Sequence, residues 1–441
     1  MKVDEPAGSP VPDDAHNATT GVRHAFHVGR FALLSGSTYA QLAIAFITLA
    51  VVARTLGLAG LGFVSLALAG NLYGTALVDF TLGTAVGADA LRPQGGRALR
   101  RKFIGFRFTT MACLSALLTP CVLQTGSLAL RMVALGLLAG GLYGLGDGWL
   151  LLAGSRMGSY SVSEVSGRLL YFGAALALVR PGAPVETVPI AMGLGSITTV
   201  ALSYFLSRGI RSQLEPGSSH SMRALARLGG PMLVARLMAY AYGQGAPVVF
   251  ASFVSPVQLG LYAASDRIVR GLQSLLYPLA TSMYPRFVEA RWGTREHLRK
   301  AVTQGTRASI AVALALLACT LLLAPIGMQI LYGQGFGDGV PVLRTEAALL
   351  VFFAASNLLV ANVLVVHHDS RGVLLVSLVG LCGLAVGLLA LRIAPNAETI
   401  AFTVVGVEAC ALLAALGRYA RLLRRRGSQP SSPLDSVTGF V

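Results

Sequence analysis

Charge is scarce in this 441-residue sequence: Asp, Glu, Lys and Arg together make up 12%, about half the share a soluble domain carries. That shortage excludes an ordinary solvated surface. Lysine is nearly missing, with only Lys2, Lys102 and Lys300 among 35 basic residues, a bias that a GC-rich genome produces without chemical cause. The five cysteines (Cys113, Cys121, Cys319, Cys382, Cys410) lie in apolar stretches at unrelated spacings, which excludes a disulfide framework and a thiolate metal site. No Gly-x-x-x-x-Gly-Lys-Ser/Thr loop occurs, so nothing points to nucleotide hydrolysis. The first 26 residues are polar, with Asp4, Glu5, Asp13 and Asp14, which excludes a cleaved signal peptide. Ten-residue segments of alternating polarity are missing as well, and with them a membrane β-barrel.

What is present is apolar length. Hydrophobic residues reach 54% and the mean hydropathy is +0.67. Several runs exceed the roughly 20 helical residues that cross a hydrocarbon core, and only a helix satisfies its own backbone there. The expected fold is an all-α polytopic membrane protein of about twelve transmembrane helices, near 31–53, 61–82, 104–124, 128–152, 159–179, 184–206, 229–253, 257–281, 305–331, 343–366, 371–392 and 398–420. The net charge of +16 would suggest nucleic acid in a soluble protein. Here the basic residues sit between spans, so no nucleic-acid partner is expected. Alternate connections and the tails hold 26 of them and the opposite connections hold 5. Basic residues accumulate on the cytoplasmic side, which puts both termini in the cytoplasm. The opposite connections are all short, the longest about 333–342, too short to house the site of a membrane-embedded polymerase or ligase.

The chain divides into a disordered cytoplasmic tail (1–30), an N-terminal six-helix lobe (31–207), a basic cytoplasmic linker (208–228), a C-terminal six-helix lobe (229–420) and a second tail (421–441). Leu61-Gly62-Phe63-Val64 precedes Leu259-Gly260-Leu261-Tyr262 by 198 residues, and both open the second helix of their half. The two halves then form a parallel repeat about an axis along the membrane normal.

Ala53-Arg54-Thr55-Leu56-Gly57, Leu61-Gly62-Phe63 and Asp79-Phe80-Thr81-Leu82-Gly83-Thr84-Ala85 resemble the first helical hairpin of Wzx-type polysaccharide flippases. Leu228-Gly229-Gly230-Pro231-Met232, Leu259-Gly260-Leu261-Tyr262-Ala263-Ala264 and Tyr284-Pro285-Arg286 resemble the opening of their second half. These flippases belong to the multidrug/oligosaccharidyl-lipid/polysaccharide (MOP) exporter superfamily. The resemblance implies two six-helix lobes around a central cavity, alternating access in a bacterial inner membrane, and an undecaprenyl-pyrophosphate-linked oligosaccharide as cargo. It implies no enzyme activity and no cofactor, and polysaccharide polymerase machinery as a partner beside membrane lipid. The rival reading is a small-molecule or multidrug secondary exporter.

Charges inside the spans are costly and normally face a cavity or a partner. The eighth helix carries Asp266, Arg270, Gln273, Ser274 and Tyr277 on one stripe, with Arg267 at its edge. The seventh matches it with Arg236, Tyr240 and Gln244. Arg236, Arg267, Arg270, Arg168, Gln244 and Gln273 are the candidate cargo contacts, since a guanidinium fork suits a pyrophosphate. Asp266 and Arg270 are spaced i, i+4, as are Glu164 and Arg168, so each is equally readable as a structural pair. Glu408, Asp266 and Glu164 are the ion-coupling candidates, with a neutral hydrogen-bonded role open for Glu408. Asp79 and Asp147 read as solvated or capping residues at helix ends. His367, His368 and Asp369 read as an interfacial turn, with no metal site.

Overall fold

The computed structural model describes residues 13–91, 96–216, 222–292, 294–367 and 369–427, and among them no strand occurs. The chain is an all-α membrane protein of twelve spans in two sets of six. Spans 1 and 2 are the limbs of Asp13–Asp79, separated at Gly57. There φ is 69°, a left-handed value that glycine takes freely and other residues resist. Span 2 continues as Gly83–Ala90, span 3 is Gly96–Gln124, and span 4 is Leu128–Gly144 with Gly148–Ala153. Met157–Leu178 is span 5, and Thr187–Leu206 is span 6, prolonged by Arg208–Gln213.

The second set opens with span 7, Met222–Tyr242 and Ala246–Phe250, and span 8, Pro256–Ser274 and Tyr277–Trp292. Span 9 is Arg295–Tyr332. Span 10 comprises Gly339–Glu346, Leu349–Asn357 and a π-helical turn Leu358–Leu364. Spans 11 and 12 are Ser370–Ile393 and Ala397–Gly427. Span 8 breaks just before Pro278, which cannot donate the backbone bond that the helix needs.

Among the described residues, eight helices are long and apolar enough to cross a membrane, and one of these, Gly36–Asp79, holds both spans 1 and 2. Spans 5, 7 and 8 fall outside that set because they are the polar ones. Lipid-facing side chains complete the picture: Leu117, Leu123, Leu322 and Ile393 are each more than two thirds exposed. In water such a surface would aggregate, whereas hydrocarbon is its proper solvent.

The basic connections define one end of the molecule and the sparse connections the other. At the sparse end one hydrophobic cluster joins both lobes, running from Leu49, Val52, Leu61 and Val64 to Leu259, Tyr262, Leu343 and Val404. At the basic end each lobe has its own cluster: Leu82, Leu99, Phe103 and Trp149 in one, Phe287, Leu298, Leu359 and Ala415 in the other. The lobes therefore share a core at one end and keep separate cores toward the other, where Gly229 of span 7 still packs against Phe80 and Leu82 of span 2.

The sparse end is also where the repeat becomes physical. A methyl group added at Gly62 would strike the Pro256 carbonyl oxygen, and one added at Gly260 would strike the Leu58 carbonyl oxygen. Leu58 and Pro256 are related by the same 198-residue offset as Gly62 and Gly260. The two contacts are thus equivalent under a pseudo-twofold axis between the lobes. Arg54 secures the same end by donating from Nε to the Leu331 carbonyl at 3.2 Å and from its terminal nitrogen to Ile330.

Candidate functional site

Span 8 begins as its sequence dictates. Ser255 caps it, accepting the Gln258 N–H at 3.4 Å, and Pro256 occupies the first turn. Asp266 and Arg270 then lie roughly 15 and 21 Å along the helix from its start at 1.5 Å per residue. Arg270 Nε donates to both Asp266 oxygens, at 2.7 and 2.8 Å, and the Tyr262 hydroxyl donates to Asp266 Oδ1 at 3.3 Å. Asp266 and Gln273 are buried. The i, i+4 pair open in the sequence is thus closed in the structure, and Arg270 is not a free cation.

A further acid, which sequence reasoning missed, joins this pair. Glu346 of span 10 is fully buried, and neither of its carboxylate oxygens receives a hydrogen bond among the described residues. Its ionisable neighbours are Asp266 and Arg270. Two acids from different helices therefore face one arginine. The signal was available: Glu346 lies inside the expected tenth helix, but its place beside Arg344 near the helix start disguised it as a boundary residue.

Arg267 points differently from Arg270. It is half-buried and lies within electrostatic reach of Tyr332 in its own lobe and of Tyr171 on span 5 of the other lobe. Tyr171 is equally within reach of Arg168, so this buried ring senses an arginine of each lobe. Arg168 is exposed. Its i−4 neighbour Glu164 accepts its hydrogen bond from the Tyr143 hydroxyl at 2.9 Å instead, although the two charges still feel each other. Arg236 is exposed on span 7, with its guanidinium 5.6 Å from the Tyr240 ring. Tyr240 in turn meets Tyr73 of span 2 edge to face at 5.7 Å. Gln244 is exposed one helical turn further along.

The seam between the lobes is thus lined by Tyr73, Tyr171 and Tyr240 and approached by Arg168, Arg236 and Arg267. Among the described residues none of these three arginines has a carboxylate within ion-pair distance, whereas Arg270 does. Guanidiniums outside any direct ion pair, with Asp266 near Arg267 and Glu164 near Arg168 at longer electrostatic range, set among aromatic faces and amides, suit a ligand that is both anionic and rich in hydroxyl groups. Glu408 lies apart, half-buried on span 12, where Ser356 Oγ donates to it. It senses Arg270 electrostatically, which links it to the Asp266–Glu346 cluster.

Two expectations need correction. Asp147 is not solvated: it is wholly buried at the break in span 4, paired with Arg100 at 2.5 Å and accepting from Ser207 Oγ at 3.0 Å. Asp79 is bound by Arg107, which also donates to the Gly146 carbonyl at 2.8 Å and stacks 4.2 Å from the Phe103 ring. These bridges tie spans 2, 3, 4 and 6 together at the basic end. Asp369 also has a structural partner, Arg418 of span 12, and caps Gly372 at 3.0 Å. His368 lies outside the described residues. No group of three or more potential metal-ligating side chains occurs among the described residues.

Comparison with known proteins places this arrangement. Residues 29–291 match the family described as polysaccharide biosynthesis protein. No curated protein matches. Among solved structures, the lipid II flippase MurJ in an inward closed conformation shares the fold at a TM-score of 0.72 and 10% identity, over 91% of this chain and 94% of that one. An inward-facing multidrug resistance MATE family transporter of the MOP superfamily gives 0.61 at 15% identity, over 90% and 96%. A MOP superfamily transporter from Pyrococcus furiosus gives 0.55 at 15% identity, over 91% and 97%.

Proposed function

The chain belongs to the polysaccharide biosynthesis protein family, and from that premise we propose that it flips an undecaprenyl-pyrophosphate-linked oligosaccharide across a bacterial inner membrane, with no covalent chemistry. The observation that carries this reading is the set of unpaired guanidiniums, Arg168, Arg236 and Arg267, at a tyrosine-lined seam between the lobes. Gln244 and Gln273 add amides along spans 7 and 8, and Arg270 would reach the cargo while held by Asp266. We place the basic end in the cytoplasm, from the 26-to-5 distribution of basic residues. The shared core and the glycine contact then close the periplasmic end, and the cargo enters at the cytoplasmic end, where each lobe keeps its own core. The lobes take the limits 31–207 and 229–420, and a polymerase of the growing glycan is the downstream partner.

Alternation requires that cargo or ion interact differently with the two states. Arg168 and Arg267 come from different lobes and both lie within electrostatic reach of Tyr171, so a pyrophosphate held by both would bind one lobe geometry better than another. Asp266, Glu346, Glu408 and Glu164 are the acids available for ion coupling. A multidrug exporter of the same superfamily is the second reading, since such transporters share the fold. Cationic drugs, however, need acids facing the cavity, and the acids here are bonded to Arg270, Ser356 and Tyr143 or enclosed.

The test is complementation of surface polysaccharide in a strain lacking the gene, with protein abundance measured alongside. Arg236→Gln and Arg267→Gln should each abolish export, and the corresponding Lys variants should retain part of it, because charge survives but the planar fork does not. Full export by both Gln variants at normal abundance would sink the cationic-seam mechanism.

A further inference from the structure

The N-terminal lobe carries a second cluster of cations, far from the seam. At the basic end, the first turn of span 3 and the short helix Arg208–Gln213 flank an open cavity of about 340 Å³, lined by Arg97, Arg100, Arg208, Arg211, Ser212 and Leu214. Among the described residues only Arg100 has a carboxylate partner, and that partner, Asp147, is already bound to Ser207. Arg97, Arg208 and Arg211 are left in excess. Among the described residues Arg97 reaches the Leu214 carbonyl, at a long 3.4 Å, Arg208 stacks 4.8 Å from the Phe205 ring, and Arg211 donates to the Tyr204 carbonyl through a terminal nitrogen. The buried Nε groups of Arg100 and Arg211 donate to nothing among the described residues. Tyr204 is held 5.8 Å from both of these guanidiniums. Burial, together with the charges of Arg100 and Arg208, holds the Arg211 guanidinium below its ordinary value.

Basic residues are expected at this end, but a topological signal needs only that they be there. It does not require four guanidiniums to converge on one cavity, where they repel each other, nor N–H groups to be buried without acceptors. An anion with several acceptor oxygens removes both costs at once. The cluster sits where spans 3 and 6 leave their apolar stretches, and basic pockets between helices at the cytoplasmic ends of spans suit anionic headgroups. Phosphate oxygens also match the bidentate geometry of arginine.

We propose that Arg97, Arg100, Arg208 and Arg211 form a phosphate-binding site at the basic face of the N-terminal lobe, separate from the cargo path. The phosphate can come from an anionic phospholipid or from a soluble phosphate compound, and the experiment separates these sources. Arg208 and Arg211 are the residues to change, because removing Arg100 would strand the buried Asp147.

Full-length protein and Arg208→Gln/Arg211→Gln would be examined by native mass spectrometry in detergent. The probes are phosphatidylglycerol, phosphatidylcholine and inorganic pyrophosphate, each titrated alone. A charge-matched control, Arg421→Gln/Arg424→Gln, changes the same basic face elsewhere. Each arginine is worth roughly five-fold in affinity for an anionic headgroup, so the double variant should bind phosphatidylglycerol more than tenfold more weakly, and the control should bind as the wild type does. Retention of pyrophosphate with no preference for phosphatidylglycerol over phosphatidylcholine, lost in the same double variant, would support the site and assign it to a soluble phosphate. Equal loss in variant and control, or no loss in either, would overturn the proposal. Thermal unfolding without added lipid shows whether the variant is folded. If it is not, single Arg208→Gln, whose exposed side chain has only a ring partner, carries the test with a roughly five-fold loss expected.

Discussion

The acid–arginine cluster on spans 8 and 10 predicts an asymmetry that a simple ion pair would not show. Arg270 is bound to Asp266 through two contacts below 3 Å, and breaking a buried pair by removing one partner costs about 3–5 kcal/mol. Glu346 makes the two halves of the pair unequal. Arg270→Gln leaves two acids, one of them fully enclosed, with only the Tyr262 hydroxyl as donor, so the full cost of about 3–5 kcal/mol applies. Asp266→Asn leaves Arg270 beside Glu346, which takes over as its acid, and the loss is nearer the 1.5–3 kcal/mol typical of one charged hydrogen bond. The Asp266→Asn/Arg270→Gln double variant removes like and unlike charge together and should fall short of the summed single effects by about 2 kcal/mol or more. The assay is thermal or denaturant unfolding of purified protein in detergent, beside abundance in membranes. Equal single effects, or a double variant that is simply additive, would refute the three-residue cluster and leave Glu346 without a role in it.

Three other outcomes follow from the same structure. Gly62→Ala or Gly260→Ala forces a methyl group onto a backbone carbonyl that no side-chain rotation can relieve, so each should cost about 1–3 kcal/mol and raise labelling of a cysteine at position 58 by an impermeant thiol reagent. Unchanged labelling would mean the lobes do not meet there. If Glu408 carries the coupling ion, Glu408→Gln should slow export and flatten its dependence on pH at normal abundance, and an unaltered pH profile would return Glu408 to a structural role with Ser356. In a cysteine-free background, cysteines at Gly126, Ser255 and Gly337 should react with the same reagent in intact cells while one at Gly96 should not. The reverse pattern would invert the assigned orientation.

Twelve spans were legible because length and hydropathy are properties of a segment taken alone, and because one missed helix would have scrambled the alternation of basic residues. Partnership across helices was not. Arg107 was counted among connecting residues, yet it is buried against Phe103 and bridges Asp79 to the Gly146 carbonyl. Asp147 read as solvated because its neighbours in sequence are glycines, while its real partners, Arg100 and Ser207, come from spans 3 and 6. Glu164 found Tyr143 on span 4 rather than Arg168 on its own helix. Spacing within one helix shows which side chains can meet, but a residue on another helix often offers the better geometry, and sequence separation does not reveal it. Glu346 escaped for the opposite reason, because the end of a helix is where a polar residue is least surprising.

The contact between Gly62 and Gly260 has the character of an isologous interface: a patch complementary to its own copy after a half-turn. Two copies of a half-length chain would meet in this manner. Seen so, the Pro256 and Leu58 carbonyl contacts are a single fit presented twice, and damage to it should saturate. A methyl group at either glycine holds both members of the fit apart, and a second finds its neighbour already withdrawn, so the double variant should cost less than the sum of the singles. The same property means the lobes cannot part on one side of the axis and stay joined on the other. Loosening either member of the fit therefore loosens the other, whichever side of the axis is strained first.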